Sequence, residues 1–277
     1  MKAMKLRFAS GLAAIVAAAC LAGCASVSTT QGGAVGVARQ QRMMSGVSEA
    51  EVEAMSAKSY AEQLAALRAK GRLNNDPALT ARVRRIASRV IREVGVYRSD
   101  ATRWKWEVNV ADAPELNAYA MAGGKVMVYS GIVRSLSLSD AELAAVLGHE
   151  FSHALREHTR EGMSQAMAQQ LGLGIIGMAA GLDSRQMNMA GKLANVALAM
   201  PHSRTMESEA DVMGLELMAR AGYDPNAAIS LWKKMLARGD NGGIEYLSTH
   251  PSGTSRIQEL SAHLPEVMPL YRNAPKP

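Results

Sequence analysis

Apolar positions in this chain recur mostly at helical spacing, interrupted once by a short stretch of alternation. Val83, Ile86, Val90 and Val94 form a stripe at intervals of three and four, the period of a helix packed on one side. That helix begins at Asp76-Pro77, an N-cap residue followed by a proline whose missing N–H is tolerated in the first turn, and another precedes it over about residues 48–70. Trp104, Trp106, Val108 and Val110 alternate instead, as on a half-buried strand. Asn117–Met121 and Lys125–Ser130 read as a hairpin turning at Ala122-Gly123-Gly124. Ser139-Asp140-Ala141-Glu142 is a capping box, with Leu138 and Leu143 placed as a hydrophobic staple. From there Leu143, Val146 and Leu147 continue an apolar stripe, and after Gly148 neither Gly nor Pro interrupts before Gly162. Further helices are expected from Ser203 through Met218, from Asp224-Pro225 to Leu236 and, briefly, over Ile257–Leu264. The chain has no internal repeats. This pattern predicts an α+β fold, mainly helical, with a small sheet or hairpin beside the helix that begins at Ser139.

Residues 1–23 stand apart from this pattern. Lys2, Lys5 and Arg7 precede an apolar run from Phe8 to Ala19, too short for a comfortable membrane span, and Leu21-Ala22-Gly23-Cys24 looks like the lipobox of bacterial lipoproteins. On that reading the leader is removed and Cys24 is acylated, several acyl chains giving stable anchoring where one does not. Ala25, rather than Asp, after the cysteine favours the outer membrane. Without lipidation the same leader gives an uncleaved anchor or a soluble periplasmic protein. Residues 24–45, rich in Ser, Thr, Gly and Gln, are expected to form a flexible tether, residues 46–264 a single domain, and residues 265–277 a tail carrying Pro265, Pro269, Pro275 and Pro277. Cys20 leaves with the leader, so no structural disulfide is expected.

The formal charge of +6 owes half its size to the leader, since removing Lys2, Lys5 and Arg7 with no acid leaves 28 Lys+Arg against 25 Asp+Glu. Arg82, Arg84, Arg85, Arg89 and Arg92 interleave with the apolar stripe of their helix and read as a solvated face. Nucleic acid is not an expected partner; an anionic membrane surface suits the residual charge better.

The chemistry concentrates at His149-Glu150-Phe151-Ser152-His153. Residues i and i+4 of a helix lie about 40° apart on one face, so both imidazoles can reach one Zn²⁺, with Glu150 beside them to take a proton from the activated water. A third ligand must come from elsewhere. The long H-E-x-x-H-x-x-G-x-x-H form fails at Arg156 and Thr159, and no acid lies between Glu161 and Asp183 for a thermolysin-like site. What remains is the acid-rich segment Ser203–Asp211, where Glu207 and Asp211 are i and i+4, so one can bind the metal while the other hydrogen-bonds a ligand histidine. Glu209 diverges from Glu207 by about 160° on a helix, so only one of those two can face the metal. Ser152 has no base of its own. His158 and His202 read as structural or exposed, and His263 as surface.

His149–His153, the S-R-x-x-E-x-x-A-D segment at Ser203–Asp211, Asn117-Ala118-Tyr119-Ala120 ahead of Gly123-Gly124, Ala221-Gly222-Tyr223-Asp224-Pro225 and Thr249-His250-Pro251 together carry a resemblance. The chain resembles the HtpX, CAAX prenyl protease and Oma-type zinc metallopeptidases, in particular their periplasmic lipoprotein branch, over about residues 33–264. The resemblance implies a zincin-type fold and one zinc ion per chain, held by His149, His153 and Glu207, with Asp211 and Arg204 behind the ligands and Glu150 as general base. It lays the strand Asn117, Ala118, Tyr119 and Ala120 along the cleft, where an exposed edge can bind an extended peptide by strand addition. The implied function is a metalloendopeptidase at the periplasmic face of the outer membrane that hydrolyses misfolded or damaged envelope proteins; the alternative is a non-enzymatic lipoprotein that holds outer-membrane clients in the same cleft. His250, its backbone restricted by Pro251, is expected to reach the open metal position, either as a plug that keeps the enzyme latent or, swung aside, as a donor to the oxyanion.

Overall fold

A computed structural model describes residues 24–179, 202–239, 245–250 and 254–277. The chain divides into two compact units. In the smaller, β1 (Cys24–Val27) pairs antiparallel with β2 (Gln41–Met44). The helix α5 (His158–Ala179) contributes all but its first residue to this unit. Gln41 is buried and donates to Glu161 Oε2 at 3.1 Å, and Arg160 Nε donates to the Val47 carbonyl at 2.8 Å. The Gly/Ala/Met-rich stretch 162–200 is one continuous helix as far as Ala179. Its remainder, like the leader 1–23, lies outside the described residues.

The larger unit contains α1 (Glu49–Ala69) but for its first residue, α2 (Pro77–Ile91), two 3-10 turns, β3 (Glu107–Ala111), β4 (Ala118–Met121), β5 (Lys125–Tyr129) and α3 (Ser130–Ser135). After these come α4 (Asp140–Leu155), α6 (Arg204–Arg220), α7 (Asn226–Gly239), α8 (Glu245–Thr249) and α9 (Thr254–Asn273). The expected N-caps form: Asp76 accepts from Leu79 N ahead of Pro77, and Ser139 and Glu142 cap each other's backbone N–H groups. The expected hairpin forms too, with Gly123 and Gly124 at φ 71° and 77° in its turn. β5 is the central strand, parallel to β3 and antiparallel to β4. β4 is therefore an edge, and among the described residues no strand pairs with its outer side.

Four expectations need correction. Residues 24–45 are not a flexible tether: besides the β1–β2 pair, residues 29–39 belong to the larger unit, where Val35 and Val37 are buried and the buried Glu216 accepts from Ala34 N at 2.8 Å and Val35 N at 3.1 Å. A buried carboxylate requires donors, and this segment supplies them from its backbone. The final helix does not stop at Leu264 but runs through Pro265 and Pro269 to Asn273, because Leu260 and Val267 are buried and the packing outweighs the ladder bonds that prolines cannot make. Finally, the α2 arginines are not simply solvated. Arg82 and Arg85 bind Asp140, and Arg82 also holds the Leu138 carbonyl ahead of α4, while Arg84 donates to the Val108 carbonyl and Arg89 to that of Ala221. The alternating segment is also shorter as a strand than expected, since Trp104 and Trp106 precede β3; the Trp106 ring packs on Phe151 of α4 at 4.8 Å.

Helices α4 and α6 cross at two glycines. A methyl group on Gly148 would lie 2.7 Å from the Gly214 carbonyl oxygen, and one on Gly214 would lie 2.7 Å from His149 N. These are backbone atoms that cannot rotate away. Gly214→Ala is therefore expected to destabilise the protein by about 1–3 kcal/mol and to weaken zinc binding by parting the two helices. Thermal melting with and without zinc measures both effects, and parental stability with parental zinc affinity would refute the crossing as a constraint.

Candidate metal centre

Helix α4 presents His149 and His153 from one face, and α6, capped by Ser203, presents Glu207 from its first turn. His153 Nε2 lies 3.0 Å from His149 Nε2 and 3.3 Å from Glu207 Oε1, and His149 Nε2 lies 3.4 Å from Glu207 Oε2. His250, just after α8, joins them, its Nδ1 being 3.2 Å from His149 Nε2 and 3.1 Å from Glu207 Oε1. All four residues are buried, and each offers a donor atom within 4.8 Å of the others.

Such a set fits a metal better than it fits itself. Tetrahedral zinc with ~2.0–2.1 Å bonds spaces its donors ~3.3–3.4 Å apart, close to the separations here. Glu207 Oε2 is buried without a hydrogen bond among the described residues, with Arg256 Nη1 2.8 Å away as an ion pair. Three imidazoles and one carboxylate suit Zn²⁺.

The ligands are oriented from behind. Asp211 Oδ1 lies 3.0 Å from His149 Nδ1, so the ring donates there and turns the Nε2 lone pair toward the cluster. Asp211 in turn accepts from Arg256 Nε at 2.6 Å and Nη2 at 2.7 Å, and the guanidinium lies over the Trp232 ring at 3.6 Å. Burial alone would push the His149 imidazole down, but Asp211 and Glu207 outweigh it and raise its pKa to about 9. Burial would raise the Glu207 carboxyl, yet His149, His153 and His250 hold it well below the usual range. His153, crowded by His202 and His149 as well as buried, is pushed down and stays neutral.

Glu150 is buried beside the cluster, with Tyr246 Oη donating to its Oε1 at 2.6 Å. The Tyr246 ring stacks on His250 at 4.3 Å. Sequence reasoning missed Tyr246 and Arg256, which lie 96 and 45 residues from their partners Glu150 and Asp211 and belong to no local pattern. It also left out two histidines that the structure brings close: His202 stacks on His153 at 4.0 Å, and His158 Nδ1 is 2.8 Å from His153 Nδ1. Glu209 faces away from the cluster, as the helical angle requires, and Ser152 only returns a bond to the Gly148 carbonyl. Arg204, the first residue of α6, is exposed, contrary to expectation. In β4, which packs beside α4, Ala118 is buried, Tyr119 donates to Gln63 Oε1, and Asn117, just ahead of the strand, accepts from Ala118 N.

Residues 77–264 match the family model described as Peptidase family M48. The chain belongs to this family. Its mainly helical α+β fold is of the zincin type, and its donor set suits zinc. It is 37% identical over 182 residues to the mitochondrial metalloendopeptidase OMA1 of Saccharomyces cerevisiae, covering 61% of this chain and 50% of that one. It is 39% identical over 181 residues to the OMA1 of Schizosaccharomyces pombe, covering 65% and 52%. The beta-barrel assembly-enhancing protease of Escherichia coli is 30% identical over 213 residues, covering 74% of this chain and 42% of that one. The chain thus spans about half the length of these family members.

A sign follows from the raised His149 pKa. Without metal the ring carries a proton that stabilises the fold fully below its ordinary pKa of 6.5, and that contribution is lost as pH rises through about 9. Zinc must displace this proton, so binding near pH 7.5 should release about one proton, and affinity should fall about tenfold per unit as pH drops below about 9. Calorimetry in buffers of different ionisation enthalpy counts the proton; none released would contradict the assignment.

Proposed function

We propose that the protein is a zinc-dependent endopeptidase that hydrolyses peptide bonds of misfolded or damaged envelope proteins. The observation that carries this reading is a buried His149, His153 and Glu207 triad with the Glu150 carboxylate beside it. Held by these three side chains, zinc supplies a Lewis acid that polarises the scissile carbonyl and makes water acidic enough to attack. Glu150 takes the proton of the attacking water and delivers it to the leaving amine nitrogen. Asp211 and Arg256 keep His149 and Glu207 in register, so the geometry is fixed before substrate arrives. The open edge of β4, with Asn117, Ala118, Tyr119 and Ala120, receives an extended segment of the substrate through backbone hydrogen bonds. Recognition of backbone suits clients that share unfoldedness rather than sequence.

His250 is the fourth donor of the same cluster, and we read it as a restraint: a site closed by four protein ligands has no place for water. In a casein digestion assay Glu150→Gln should abolish cleavage while zinc content stays at one per chain, because the base goes and no ligand does. His250→Ala should raise basal cleavage in the same assay; a loss of about 10²–10³ would instead mark it as an oxyanion donor. Cleavage by Glu150→Gln at near the parental rate would sink the mechanism.

The compartment rests on the chain's own leader. Two of the three relatives above are mitochondrial by name and one acts in β-barrel assembly by name, so family membership alone leaves the compartment open. Among the described residues no helix is long and apolar enough to cross a membrane. We place the protein at the periplasmic face of the outer membrane through acylated Cys24. Cys24→Ala should move it from the membrane to the soluble fraction on cell fractionation. A mature-sized variant still sedimenting with outer membrane would argue against the lipid.

A further inference from the structure

We propose that His158 and Glu209 are positioning residues for His153, forming with it a hydrogen-bonded relay that dictates which imidazole nitrogen faces the metal. The inference rests on the zinc-site reading above. Helix α4 ends at Leu155, and Glu157 then adopts a left-handed conformation, φ 53°, with its carboxylate held by Arg98 Nη1 at 2.7 Å. That turn, unfavourable for a residue other than glycine, folds the chain back so that His158 sits behind His153, Nδ1 to Nδ1 at 2.8 Å. On its other side His158 Nε2 lies 3.0 Å from Glu209 Oε2. Glu209 also receives Arg39 Nε at 2.7 Å, Arg39 Nη2 at 2.8 Å and Arg156 Nη2 at 3.2 Å.

Proton positions follow one after another. Two guanidiniums keep Glu209 ionised, and an ionised carboxylate only accepts. His158 must therefore donate from Nε2, which leaves its Nδ1 as an acceptor in the neutral ring. His153 must then donate from Nδ1, which turns the lone pair of Nε2 toward His149 and Glu207. Asp211 does the same for His149 in one step. Helix α6 thus serves His153 twice, with Glu207 in front and Glu209 behind. Arg39 brings the segment that follows β1 into this support, and Arg156 ties it down through Thr30 Oγ1 at 3.0 Å and the Arg39 carbonyl.

The test reads tautomers in the unmutated, zinc-loaded protein by long-range ¹H–¹⁵N correlation. The relay requires a protonated Nδ1 on His153 and a protonated Nε2 on His158; the opposite tautomer at either ring would overturn it. Zinc affinity by chelator competition gives the second arm. His158→Phe should weaken binding by about 10–100-fold, the usual loss for a group supporting a ligand histidine. His158→Gln, whose amide can accept from His153 and donate to Glu209, should recover most of that loss, which a merely structural role would not predict. Parental affinity in folded His158→Phe would also overturn the relay, and if no variant folds the tautomers decide. A zinc-loaded protein with these tautomers that cleaves neither as the parent nor as His250→Ala would sink the peptidase reading and leave the relay standing.

Discussion

Backbone-to-backbone contact between α4 and α6 is the constraint on which the rest of the centre depends. Two imidazoles on one helix and a carboxylate on another are brought to one point here by a crossing closer than ordinary side chains permit. Gly148 and Gly214 remove the Cβ atoms at the crossing, and His149 follows Gly148 directly. The same approach buries all three side chains, so charges that water would otherwise screen act on one another at full strength.

That burial is tolerable because each polar group has a backer. His149 leans on Asp211, Asp211 and Glu207 share Arg256, and Arg256 rests on the Trp232 face. The shells draw on separate parts of the chain: α4 and α6 for the triad, α9 for the guanidinium, and residues 29–39 for the outermost cation. A buried pair that loses one partner leaves an uncompensated charge, so the centre is sensitive to substitutions far from the ligands in sequence.

How much of this was legible in the sequence depended on distance along the chain. His149, Glu150 and His153 announce themselves because four residues close a helical turn, and the capping box at Ser139 fixed the helix that carries them. Glu207 needed the family resemblance, since spacing alone left it level with Asp211. Tyr246 and Arg256 gave no signal, because each meets its partner only after the chain has folded. His158 lies off the i, i+4 ladder of His149 and His153, but a ladder presumes a continuous helix, and the left-handed Glu157 breaks it. Composition misled at both ends: Ser and Gly suggested a tether where Glu216 holds the backbone, and prolines suggested a tail where Val267 is buried.

Helix α8 is only five residues long, yet it carries the tyrosine bonded to Glu150 and leads straight into the fourth residue of the cluster, with His250 N donating to the Tyr246 carbonyl at 2.8 Å. Two side chains fixed to one helical turn share its degrees of freedom. A displacement of that turn that carries His250 away from His149 and Glu207 also carries Tyr246 away from Glu150. The Glu150 carboxylate and the fourth donor of the cluster are thus geared together through one helical turn.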